Sequence, residues 1–208
     1  MFDAIIQYFS GTLGLVELAA TVFSLICVWL AAKQNQWTWF WGVLGVVLFG
    51  YLFYEYKLYS DAGLQILFYL PLQFVGYYVW KRVAENTNDD NMVFGLSPAG
   101  QFMTIIGIGI LTVINGYLMM TYTDASFPYI DAFTTWMSVF AQILMIRKFW
   151  ESWVLWVTMD VVAIGVYYAK GLYVTSGLYV VFLCMATYGF IKWRQKFVNR
   201  QQANMIRV

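Results

Sequence analysis

The chain has 208 residues, of which 62% are hydrophobic and 11% charged, against roughly 45–50% and 25% in soluble domains. A soluble core of this size cannot hide so much apolar surface, so the sequence reads as an integral membrane protein. A net charge of +1 gives a nucleic-acid partner no electrostatic support, and a chain with no His and with Cys27 and Cys184 both in apolar stretches offers little to a metal site or a disulfide framework. No metal and no cofactor are expected.

Residues 1–14 contain Gly11 and Gly14 and read as an amphipathic segment; with Asp3 and no basic cluster they do not resemble a cleaved signal peptide. A bilayer crossing takes roughly 20 mainly apolar residues. Seven such stretches follow, near 15–33, 36–56, 60–81, 99–121, 128–147, 150–169 and 171–193. Pro71 falls inside the third and should kink it or mark a hinge. The stretch 83–96 is the long polar linker. Ser97-Pro98 reads as an N-cap with proline in the first turn, and Pro128 opens the next helix in the same way. Residues 194–208 form a basic tail.

Seven crossings place the termini on opposite sides. Lys57 and Lys170 then lie with the N-terminus, and the other ten of the twelve Lys and Arg residues lie with the C-terminus. The positive-inside rule accordingly puts the N-terminus outside and the C-terminus in the cytoplasm, with no basic residue at a span centre.

The second half repeats the first at an offset of 114: Glu17, Thr21 and Ser24 match Asp131, Thr135 and Ser138, while Trp39, Tyr54 and Gly63 match Trp153, Tyr168 and Gly177. Leu58-Tyr59 likewise matches Leu172-Tyr173, and at an offset of 113 Gly76 and Trp80 match Gly189 and Trp193. The unit is three spans, about 15–81 and 128–193, joined by a linker (82–127) that carries the fourth span. Three is odd, so one extra crossing is needed to make the repeats parallel. The expected fold is therefore all-α, with seven transmembrane helices arranged 3+1+3. Parallel three-helix repeats are a transporter architecture, with a substrate site expected near the membrane midplane between the halves.

Polar side chains within spans avoid lipid and face the bundle interior or an aqueous path. Asp131, Thr135, Ser138 and Gln142 form one helical stripe; Glu17, Thr21 and Ser24 draw the same stripe on the first span, and Gln65, Tyr69, Gln73 and Gly76 another on the third. Gln101, Thr104, Ile108, Thr112 and Asn115 mark one face of the fourth. Single hydroxyls and amides of this kind often only join helices. Stripes repeated in both halves favour a lined pathway, to which Glu17, Thr21, Ser24, Asp131 and Thr135 are assigned. On the sixth span Trp153, Trp156 and Asp160 share a face, with the carboxylate roughly 12 Å from the helix start. Three roles are open to Asp160: a silent protonated core group, a proton carrier, or a partner for a polar or cationic solute.

Trp29, Trp37, Trp80, Trp150 and Trp193 lie near span ends, as in an aromatic belt. Trp153 and Trp156 beside Asp160 instead suit a flat, polar, positively charged ring. Gln65, Gln73 and Gln142 can pair with an amide or with hydroxyls. A phosphorylated solute is disfavoured, because the interior offers no cation.

The strings WESWVLWVTMD (150–160), YYAKGLY (167–173), YKLYSDAGLQ (56–65) and GYYVWK (76–81) resemble the PnuC family of bacterial vitamin transporters, over nearly the whole chain. The resemblance implies uptake of nicotinamide riboside across the inner membrane by facilitated diffusion, with trapping by a separate kinase inside the cell. It also implies a fold related to SWEET sugar transporters and a homotrimer in the lipid bilayer. Trp153 and Trp156 would then stack on the pyridinium, Asp160, Gln65, Gln73 and Gln142 would hold the polar edges, and Ser138 and Tyr69 would assist. Unlike SWEET repeats, neither 15–33 nor 128–147 carries a hinge proline, so rocking would use Pro71 or glycines such as Gly42, Gly45, Gly50 and Gly165. Family relatives carry other ring-bearing vitamins, so thiamine is an alternative solute, and proton coupling through Asp160 an alternative mechanism. A retinal-type receptor is disfavoured because Lys170 and Lys192 both lie at span ends. A membrane enzyme lacks a clustered nucleophile and base.

Overall fold

A computed structural model describes residues 11–57, 62–87, 89, 92–123, 127–169 and 173–206. Among the described residues the extended elements are helices. Helices α1 (Thr12–Ala32), α2 (Trp37–Glu55), α3 (Leu70–Thr87), α4 (Pro98–Tyr122), α5 (Pro128–Ile146), α6 (Glu151–Ala169) and α7 (Tyr173–Ile206) follow in order. All but α3 are long and apolar enough to cross a membrane. A π-helical turn, Leu64–Tyr69, leads directly into α3, so the third apolar stretch is divided between the two. The N-terminal segment 1–10 and the Leu58-Tyr59 match fall outside the described residues, as do Lys170 and Leu172.

The chain divides into two compact units, Met1–Asp90 and Asn91–Val208. The first holds α1, α2, the π turn and α3. The second holds the second triplet, α5–α7, together with α4, which packs on α5. In α4, Gly116 lies where a Cβ would come within 2.4 Å of the Tyr129 ring, so the two helices touch through that bare position.

The expected cap of the fourth helix has a direct structural counterpart. The Ser97 hydroxyl accepts from the Gly100 N–H at 3.2 Å with Pro98 in the first turn of α4. Pro71 is preceded by the π turn, in which the Leu70 N–H donates to the Gln65 carbonyl. Proline has no N–H and its ring crowds the carbonyl one turn back; a widened turn before it relieves that crowding. The polar linker differs from expectation. Helix α3 continues through Thr87, and Phe94 pairs with Phe149 in an isolated parallel bridge. There the Phe94 N–H donates to the Lys148 carbonyl at 2.9 Å, and the Trp150 N–H donates to the Phe94 carbonyl at 3.1 Å. The basic tail is likewise no separate segment, because α7 runs on to Ile206.

The internal repeat reappears bond for bond at the turn after the first helix of each triplet. Residues Lys33, Gln34, Asn35, Thr38 and Trp39 donate to Trp29, Ala31, Leu30, Asn35 and Gln36; residues Arg147, Lys148, Phe149, Ser152 and Trp153 donate to Ile143, Met145, Leu144, Phe149 and Trp150. Each pair is related by the offset of 114. Gln34 and Lys148 sit at φ 59° and 57°, the left-handed position that ends a helix in a Schellman turn, and both are buried.

The core of each triplet is built on one motif. Trp39 on α2 meets Trp80 on α3 edge-to-face at 5.2 Å, and Trp153 on α6 meets Trp193 on α7 edge-to-face at 5.7 Å. A Cβ on Gly76 would come within 2.2 Å of the Trp39 ring, and one on Gly189 within 2.7 Å of the Trp153 ring. In each case the missing side chain is where the indole lies. Close approach at small residues is how helices associate where no hydrophobic force separates lipid from side chain. The Trp80 and Trp193 rings are therefore interior, both at 0% exposure, rather than members of a belt. Position near a span end suggests a belt, but each ring packs instead on the indole of Trp39 or Trp153. Trp29 and Trp37 are exposed, as a belt requires.

Candidate functional site

In the second unit the central polar group is Asp160. It is the tenth residue of α6, which at 1.5 Å per residue is the middle of a helix about 28 Å long. Its side chain is 4% exposed, and among the described residues no hydrogen bond or ion pair reaches it. A carboxylate withdrawn from water without a partner is costly, whether the cost appears as a charge or as an unmet donor and acceptor. Such a group either receives a partner from outside the fold or sits there as a protonated core residue.

Its face mates differ. Trp156, one turn before it, is half-buried. Trp153 is 1% exposed, with its ring against Gly189 and Trp193 and its Nε1 buried without a hydrogen-bond partner. Of the two indoles, Trp156 is thus the one with ring surface to offer, while Trp153 belongs to the interior lock. On α5 the expected stripe is continuous. The Thr135 hydroxyl donates to the Asp131 carbonyl and the Ser138 hydroxyl to the Thr135 carbonyl, each at 2.8 Å. These bonds direct the hydroxyl protons back into the helix. Ser138 is buried, and Asp131, Thr135 and Gln142 are half-buried.

In the first unit Glu17, Thr21 and Ser24 are half-buried on α1. Gln65 and Tyr69 fall in the π turn, both half-buried. Gln73 follows on α3 at 6% exposure. Its amide nitrogen donates over 3.4 Å to the Tyr69 carbonyl. The Thr38 hydroxyl ties α2 to α1 by donating to the Cys27 carbonyl at 2.8 Å.

Several features escape sequence reasoning. Glu151 looks like a surface acid at a span end but is buried. Its Oε1 accepts from the Leu96 N–H at 2.8 Å and from the Gln101 amide at 3.2 Å, so it fastens the segment before α4. That gives Gln101 a structural employment. Lys148, counted among the cytoplasmic charges, is 1% exposed. The partnership of Trp39 with Trp80 was signalled by the matching Trp and Gly positions of the repeat, read for register rather than for contact.

A profile of the nicotinamide mononucleotide transporter family matches residues 14–195. Relatives include the nicotinamide riboside transporter PnuC of Neisseria mucosa, 26% identical over 95% of this chain and 78% of that one, and PnuC of Escherichia coli, 25% identical over 87% and 85%. The riboflavin/roseoflavin transporter RibM of Streptomyces davaonensis is 26% identical over 85% of this chain and 83% of its own. The crystal structure of the vitamin B3 transporter PnuC matches with a TM-score of 0.71 at 25% identity, over 93% of this chain and 86% of that one. A multi-pass helical chain with membrane-length apolar helices, matched by this profile over most of its length, belongs to the PnuC, or nicotinamide mononucleotide transporter, family of membrane transporters.

Proposed function

We propose that the protein takes up nicotinamide riboside across the bacterial inner membrane by facilitated diffusion, the product being trapped inside by a separate phosphorylating enzyme. The observation that carries this reading is the buried, unpartnered Asp160 at mid-helix with Trp156 one turn away on the same face. A pyridinium ring is flat and cationic, so it can lie on an indole while its charge is met by a carboxylate. Within the second unit Trp156 supplies the plane, Asp160 the charge, and Gln142 and Ser138 the hydrogen bonds to carboxamide and ribose; Trp153, on the same helical face, completes the aromatic set. Within the first unit Gln65, Tyr69 and Gln73 supply the same amide and hydroxyl chemistry, and Glu17, Thr21, Ser24, Asp131 and Thr135 line the path. The 3+1+3 arrangement, an outside N-terminus, a cytoplasmic C-terminus and a homotrimer complete the proposal. A nucleoside is favoured over its phosphate because the described spans hold no basic side chain at mid-depth to meet a phosphate.

The riboflavin relative supports a second reading, in which the solute is another ring-bearing vitamin, thiamine or riboflavin. Proteoliposome uptake of labelled nicotinamide riboside, thiamine and riboflavin separates the readings. Nicotinamide riboside should equilibrate at the same rate with and without a pH gradient. Uptake confined to thiamine or riboflavin overturns the substrate assignment; accumulation driven by the gradient overturns the passive mechanism in favour of proton coupling.

A further inference from the structure

The two repeats treat one inner position in opposite ways. At the offset of 114, Gly42 on α2 corresponds to Trp156 on α6; at the offset of 113 that aligns Gly76 with Gly189, Gln73 on α3 corresponds to Ala186 on α7. Each repeat therefore carries one small and one large residue at these two positions, but the large one sits on the third helix in the first repeat and on the second helix in the second.

In the first unit this pair is in contact. A Cβ built on Gly42 would fall 2.2 Å from Gln73 Oε1 and 2.9 Å from its Cδ, with Cys27 Sγ at 3.4 Å. The carboxamide of Gln73 is thus seated on the bare backbone of α2. It is 6% exposed, and the only hydrogen bond it makes among the described residues is the long one to the Tyr69 carbonyl. A buried amide holds two donors and two acceptor lone pairs, and leaving them unmet costs about 1–3 kcal/mol. Its place is set by shape rather than by hydrogen bonding, which leaves most of that capacity for a ligand.

We propose that Gly42 is a positioning residue for Gln73. The absent side chain fixes the carboxamide against α2, and the amide so held hydrogen-bonds a carboxamide or hydroxyl group of the transported ring-bearing solute. The Gly42–Gln73 pair is the first repeat's counterpart of Trp156–Ala186, offering an amide where the second repeat offers an aromatic plane. This inference rests on the carrier reading above.

A double-mutant cycle in the full-length protein tests it, using nicotinamide riboside uptake into proteoliposomes to give half-saturation and maximal rate, with thermal melting read alongside. Gln73→Ala should raise the half-saturation concentration about tenfold. Gly42→Ala should raise it by a similar factor while changing maximal rate and melting little, and should add less than about twofold in the Gln73→Ala background. Gly177→Ala, where an added Cβ meets nothing within 4 Å, is the control and should change nothing. Gln73→Asn keeps the amide but is one methylene too short for the seat, and should transport as weakly as Gln73→Ala even if Gly42→Ala proves unstable. An undiminished Gly42→Ala penalty in the Gln73→Ala background, or full affinity in Gln73→Asn, overturns the positioning role while leaving the carrier reading intact. Unchanged affinity in Gln73→Ala removes the amide from the solute. Failure of the unsubstituted protein to move nicotinamide riboside overturns both the reading and the inference.

Discussion

The two three-helix repeats share their scaffold and differ in their chemistry. Both close on an indole pair, Trp39 with Trp80 and Trp153 with Trp193, wedged over Gly76 or Gly189. Both turn from first to second helix through the same five backbone hydrogen bonds. At the inner positions they part company. Val28, Gly42 and Val46 of the first repeat correspond to Gln142, Trp156 and Asp160 of the second. A duplicated framework keeps the residues that hold helices together, because each lock works within its own triplet. It is free to vary those that meet a solute, since a small asymmetric molecule presents different groups to different walls. On the proposed reading, the charged and aromatic recognition chemistry lies in the second repeat, at Asp160 and Trp156, and the first supplies amides.

The largest effects should fall on the shared scaffold and be the same in both halves. Gly76→Leu and Gly189→Leu each drive a bulky side chain into an indole, and each should destabilise the detergent-solubilised protein by about 3 kcal/mol or more, seen in thermal unfolding followed by size-exclusion retention. A loss in one half only would break the equivalence of the locks. Asp160→Asn should raise the half-saturation of nicotinamide riboside uptake at least about tenfold, close to 1.4 kcal/mol, whereas Val46→Thr at the matching position should change it less than about twofold. Equal effects at the two positions would dissolve the division between scaffold and recognition. Trp156→Ala should weaken uptake by about 0.5–2 kcal/mol, with part of the loss recovered in Trp156→Phe. Glu151→Ala removes the acceptor of the Leu96 and Gln101 bonds and should lower the melting point by the equivalent of about 1 kcal/mol, with half-saturation unchanged. Thr112→Val should be the mildest, within about 0.5 kcal/mol in either assay, because the hydroxyl it deletes is buried without a partner.

Much of this fold is written in periodicity and composition. The first helix begins at Thr12 against an expected 15 and the fourth at Pro98 against 99, because apolar runs, a serine cap and proline are local signals. The extension of α3 to Thr87 and of α7 to Ile206 was not legible, since apolar content reports where a helix leaves the membrane and not where it stops. Among the candidate binding residues, the sequence put Trp153, Trp156 and Asp160 on one helical face. It could not distinguish an indole held in a lock from one with ring surface to offer, because that depends on Gly189 and Trp193, more than thirty residues later. The same limit hid Gly42. A glycine in an apolar helix is a common residue, and only the position of the Gln73 amide gives it a purpose.

The indole locks also bear on ancestry. Each lock is made of residues of its own triplet, as a gene of half the length encoding a stable membrane protein before duplication would require. On that history α4, which packs on α5, is a described helix that the repeat leaves without a sibling.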